Sequence, residues 1–134
     1  MIAGRLVYLL FGFLSIINGL WMLLFPVSWY EDLPAGVPDT GPLNVHFVRD
    51  LGVVFVLIAA GFFWCARHLQ SCLKVHWMLT TFFIGHALLH LIDLLSGRLP
   101  RSHWSMDLPA VFLPAVVLIL LGVPKFRMLL KFPS

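Results

Sequence analysis

Charge is the scarcest thing in this chain. Only 11% of its 134 residues are Asp, Glu, Lys or Arg, where a soluble domain carries about 25%. That shortage, with 60% hydrophobic residues and a mean hydropathy of +0.96, excludes an ordinary water-soluble domain and predicts an integral membrane protein. Cysteine is nearly absent too. Cys65 and Cys72 form no C-x-x-C, so neither a disulfide framework nor a zinc ribbon is expected. No Gly-rich phosphate-cradling loop and no G-x-S-x-G elbow is present, which removes the common nucleotide-binding and serine-hydrolase signatures. No basic patch interleaved with aromatics is present either, so the pI of about 9.2 does not point to nucleic acid. Internal repeats, heptads and low-complexity tracts are missing.

Four apolar segments are present. A span needs about 20 residues, and the segments at about 6–25, 45–66, 75–95 and 108–123 are read as four transmembrane helices. The expected fold is all-α: one transmembrane domain over residues 1–134, an up-down-up-down four-helix bundle. The single Arg5 before the first apolar run lacks a following A-x-A-like cleavage site, so that run is read as a retained helix. Within it, Gly12 and Gly19 share a face suited to close packing, and Asn18 is suited to an interhelical hydrogen bond. Val27–Leu43, with Pro34, Pro38, Pro42, Gly36 and Gly41, reads as a loop that is neither helix nor strand. Leu69–Lys74 reads as a tight turn. Pro109 suits a first helical turn, and Pro114 should kink the fourth helix. The basic tail of Lys125, Arg127 and Lys131, with its apolar neighbours, is expected to lie on the membrane surface.

The second segment is short. Its uncharged run Leu51–Ala66 covers only about 24 Å, against a hydrocarbon core of about 30 Å. The helix therefore has to start earlier, with Asn44 as N-cap, and this draws His46, Arg49 and Asp50 toward the membrane edge. The third segment contains GHALLHLID, Gly85–Asp93. His86, His90 and Asp93 lie at i, i+4 and i+7, within about 60° of one helix face. Polar groups at such depth need a partner or a purpose.

Four spans put both termini on one side, with Arg5, Arg67, Lys74, Lys125, Arg127 and Lys131. The excess of positive charge there predicts that this side is cytoplasmic. His46, Arg49, Asp50, His86, His90 and Asp93 would then meet near the outer leaflet as one polar pocket between the second and third spans, with Asp107 nearby. His68 and His76 are left at the cytoplasmic face.

Four readings of that pocket are open. It is a charge-paired network that fixes helix register; or a metal site, with His86 and His90 as an H-x-x-x-H pair and His46 as a third ligand, haem being a sub-case; or a site for a quinone-like amphiphile or a proton; or a surface for a protein partner. An accessory or ligand-binding role leads, with a metal- or quinone-binding redox subunit as the alternative. The expected partners are the lipid bilayer and a homo-oligomer or larger membrane complex, not nucleic acid. Whether the protein is an enzyme stays open.

Gly36–Gly52, GVPDTGPLNVHFVRDLG, together with GHALLHLID resembles the signature of an uncharacterised group among the small bacterial four-helix membrane families, the DoxX-like proteins included. The resemblance covers most of the chain in layout and implies a bacterial inner-membrane location and a link to redox or quinone chemistry. No catalytic residue is carried over from it.

Overall fold

The computed structural model describes residues 2–129, of which the side chains of Met128 and Leu129 are left aside. Among the described residues the regular structure is all helical, with no strand. In chain order they form α1 (Ile2–Leu24), α2 (Pro26–Asp32), a 3₁₀ turn (Val37–Thr40), α3 (Val45–Arg67), α4 (Leu73–Leu95), α5 (His103–Asp107), a π segment (Leu108–Phe112), α6 (Leu113–Gly122) and α7 (Pro124–Leu129). Four stretches are long and apolar enough to cross a membrane: α1, α3, α4 and His103–Gly122. The 23 residues of α3 rise about 34 Å, enough for a core of about 30 Å.

The bundle is built from two pairs. α1 and α3 make the most extensive contact, α4 packs on α6, and α3 joins the pairs through α4. The first pair comes close because of glycine. A Cβ on Gly19 would lie 2.9 Å from the Gly52 carbonyl, and one on Gly52 would lie 2.9 Å from the Gly19 carbonyl. The two backbones touch there, which only small residues permit. Tyr8, Phe11, Ile58, Phe62, Leu79, Phe83 and Leu118 fill the main core. Outside it, Leu57 and Met78 are about two-thirds exposed, as are Ile17, Leu88 and Leu89 to a lesser degree. An apolar shell of this extent is a surface for lipid rather than water.

Two local expectations are corrected. The segment after Pro26 is not all loop. Pro26 takes the first position of α2, where its missing N–H is no loss, and Trp29 and Tyr30 anchor the short helix. Trp29 Nε1 donates to Asn18 Oδ1 at 2.9 Å, and the Tyr30 hydroxyl donates to the Gly41 carbonyl at 2.8 Å. Asn18 therefore ties α1 to this short helix. The fourth span begins earlier than Leu108, at His103, and its irregularity falls just before Pro114. Pro109 and Pro114 both lack an N–H, and the intervening turn widens, with Leu113 N–H bonded to the Leu108 carbonyl. Asn44 caps α3 as expected, its side chain accepting from Phe47 N–H at 3.1 Å. Lys131 lies outside the described residues. Arg127 turns back, donating from Nη2 to the Leu69 carbonyl at 3.3 Å.

Candidate functional site

One end of the bundle carries the start of α1 and the α6–α7 junction; call it the terminal end. The other, the loop end, carries α2, the 3₁₀ turn and α5. The loop end holds all the acidic side chains of the chain: Glu31, Asp32, Asp39, Asp50, Asp93 and Asp107.

At the loop end the centre is Asp107, whose side chain is 1% exposed. One carboxylate oxygen meets His90 Nδ1 at 2.8 Å; the other meets His103 Nδ1 at 3.2 Å. The far nitrogen of His103, Nε2, reaches Asp39 at 3.1 Å. His103 is fully buried, whereas Asp39 is nearly half exposed. Beyond His90, the His86 ring stands edge-on with centroids 4.6 Å apart. The Phe82 ring lies parallel to His86, tilted by 10° at 6.2 Å. Asp39, His103, Asp107 and His90 thus form one hydrogen-bonded chain, and His86 continues it by ring contact.

Local sequence explains the assembly. His103 and Asp107 stand at i and i+4 on the single turn of α5, so their side chains stack on one face. His86 and His90 repeat that spacing on α4. Gly36, at φ +60, lets the loop approach His103; a Cβ there would sit 3.0 Å from His103 Nε2. Only glycine takes this backbone region freely. Asp39 then follows in the 3₁₀ turn.

Of the six residues expected to converge, the structure brings together His86 and His90. His46 and Asp50 pair with each other at 3.5 Å on an exposed face of α3, with side chains 89% and 65% exposed. Arg49 is exposed beside them. Asp93 pairs with Arg98 at 3.0 Å, where α4 runs out into the turn. α3 takes in its polar start, Val45–Asp50, and adds only Arg67 beyond the apolar run at its other end, but the face with His46, Arg49 and Asp50 is exposed instead of packed against α4. Sequence reading missed His103 and Asp39 and gave Asp107 only a side role. The signal was the H-x-x-x-D spacing at the head of the fourth span. Among the described residues no group of three His, Cys, Asp or Glu side chains is placed to hold a metal ion, and His46 is not beside His86 and His90.

A second buried polar cluster lies at the terminal end. The Tyr8 hydroxyl meets His76 Nδ1 at 3.0 Å, and His76 Nε2 meets Thr80 Oγ1 at 3.3 Å. The Cys72 thiol lies 3.9 Å from the Tyr8 hydroxyl, and Cys65 points its sulfur at the Cys72 carbonyl at 4.0 Å. Both cysteines are free thiols. Hydrogen bonding from the Cys65 thiol lowers the Cys72 thiol to about 6. Tyr8 and Arg127 add to this, and burial opposes it. His76, expected at a surface, is instead fully buried.

Compared with family models, curated proteins and solved structures, the chain matches none. What stands is the chemistry just described: an integral membrane bundle with four apolar spans and a buried His–Asp–His arrangement at one end.

Proposed function

We propose that the protein is an accessory, ligand-binding protein of the bacterial inner membrane, DoxX-like in layout, with both termini cytoplasmic and the loop end outward. Its site is the chain Asp39–His103–Asp107–His90–His86. The ligand is a lipid-borne amphiphile with a planar, hydrogen-bonding head, of the quinone class. The head lies against the half-buried rings of Phe82 and His86, where α4 faces Phe55 of α3. The protein's own contribution is acid–base: it offers the head a hydrogen bond and links it to the aqueous surface through groups that exchange protons.

One observation carries this reading. A carboxylate 1% exposed bonds two imidazoles at once, and one of those imidazoles bonds a carboxylate at the surface. Histidine is the side chain that changes charge near neutral pH. The hydrogen-bonded row from Asp39 at the surface to His90 is a path for a proton, and the His86 ring lies against its inner end. Excess positive charge at the terminal end supports the orientation.

The test uses the purified full chain in lipid nanodiscs with a short-chain benzoquinone. Saturable binding is expected, with proton exchange measured by a pH dye. His86→Ala should weaken binding, while Asp107→Asn should keep binding and lose the proton exchange. Binding that does not saturate, or that is unchanged in His86→Ala, overturns the proposal.

A further inference from the structure

The terminal end has the opposite electrostatic character. No acidic side chain lies there, while Arg5, Arg67 and Lys74 do. Between the start of α1 and the α3–α4 turn is a cavity of about 420 Å³. Arg5, Arg67, His68 and Gln70 supply its polar wall, and Ala66 and Leu69 part of its apolar wall.

Two of those polar groups are held in place. Arg5 donates from Nε to the Ala66 carbonyl at 3.0 Å, which fixes the guanidinium and leaves both Nη groups as donors for a ligand. His68 bonds the Trp64 carbonyl through Nδ1 at 3.0 Å and stacks on the Trp64 ring at 4.6 Å. Its Nε2 is then the nitrogen a ligand can reach. Among the described residues no ion pair neutralises Arg5 or Arg67. Trp64, 40% exposed near the end of a span, marks the level of an interfacial aromatic.

We infer that this cavity binds the phosphate head group of an anionic phospholipid. Two guanidiniums are suited to phosphate oxygens. The apolar wall continues into the lipid-facing surface of α1, where glycerol and acyl chains fit and a free phosphate gains nothing. Basic clefts between spans at a membrane surface hold such head groups for the same reason. The inference does not depend on the loop-end site or on which side of the membrane the termini occupy.

Native mass spectrometry of the full chain, released from micelles containing phosphatidylglycerol and phosphatidylcholine in equal amounts, tests it. Phosphatidylglycerol should be retained preferentially. Arg67→Gln should cut that preference about fivefold, and Arg5→Gln/Arg67→Gln more steeply still, from about 1 kcal/mol per surface charge. Lys125→Gln, outside the cavity, should leave it unchanged. Among the described residues the Arg67 side chain makes no hydrogen bond or ion pair, so Arg67→Gln stays informative if the Arg5 variant fails to fold. Equal retention of the two lipids overturns the inference, and so does an equal loss in Lys125→Gln, which would mean diffuse attraction. Displacement of phosphatidylglycerol by millimolar inorganic phosphate would overturn the lipid as source and leave a free-phosphate site.

Discussion

Asp107 and His90 are 2.8 Å apart, joining the head of the fourth span to the last third of α4. This bond joins two consecutive elements across the turn between them, and the carboxylate in it has almost no access to solvent. A buried acceptor left without its partner costs about 1–3 kcal/mol. Asp107→Asn keeps the shape but replaces one acceptor oxygen with a donor, so one imidazole loses its acceptor. We expect a loss of about 1–3 kcal/mol in reversible unfolding in mild detergent. His46→Ala and Asp50→Asn disturb only an exposed pair and should stay within about 1 kcal/mol of the parent. Equal effects at the two places would show that the His–Asp–His bonds do not hold the bundle together.

The contrast between those variants also shows what the amino-acid pattern conveyed. Four spans, the Asn44 cap and the small-residue face of α1 were legible, because each follows from apolar length, a local bond or residue size. The H-x-x-x-H spacing put His86 and His90 side by side on one face, as the structure has them. Their partner was not legible in the same way. His46, Arg49 and Asp50 have the same polarity as His103 and Asp107, and polarity does not say which set turns inward. That was decided by tertiary geometry: the polar face of α3 is left exposed, whereas α5 is a single turn pressed against α4 and the Gly36 loop. His76 went the same way. Its depth depended on Tyr8, 68 positions away.

The crossing of α1 and α3 supplies another prediction. Gly19 and Gly52 meet backbone to backbone, and a methyl on either would approach the other's carbonyl to 2.9 Å. Backbone cannot step aside as a flexible side chain does. Gly19→Ala should cost about 1–3 kcal/mol, as overpacking does. Gly85→Ala meets nothing within 4 Å and gains helix propensity, so it should be neutral or slightly stabilising. Thermal denaturation of both variants in the same detergent checks the pair. A Gly19→Ala protein as stable as the parent would mean that the helices can slide apart at no cost.

Gly36 controls the aqueous end of the relay. At φ +60 an alanine carries a strain of about 1–2 kcal/mol, and its Cβ would sit 3.0 Å from His103 Nε2 and 2.7 Å from Met106 Cε. The loop should shift and take Asp39 off His103. Imidazole ¹⁵N spectra of Gly36→Ala should therefore show a changed His103 signal with His90 nearly unmoved. If the His103 signal stays in place, the approach of the loop is not what joins Asp39 to the buried histidine.

The Cys72 thiol gives a pH dependence whose sign is fixed by its surroundings. Its acidity is raised, from the ordinary value of 9 to about 6, chiefly by the Cys65 thiol that hydrogen-bonds it. The fold therefore prefers the thiolate. The stability this group adds is fully present above the unfolded thiol's value and is lost as pH falls through about 6. The stability difference between the parent and Cys72→Ala should accordingly shrink as pH is lowered from 9 to 6. Thiolate absorbance near 240 nm, taken as the difference between those two proteins, should rise with a midpoint near 6. Cys65→Ala removes the donor that comes first in this effect, so the midpoint should move up toward 9. A midpoint already near 9 in the parent would mean that the Cys65 thiol does not serve Cys72 as a donor.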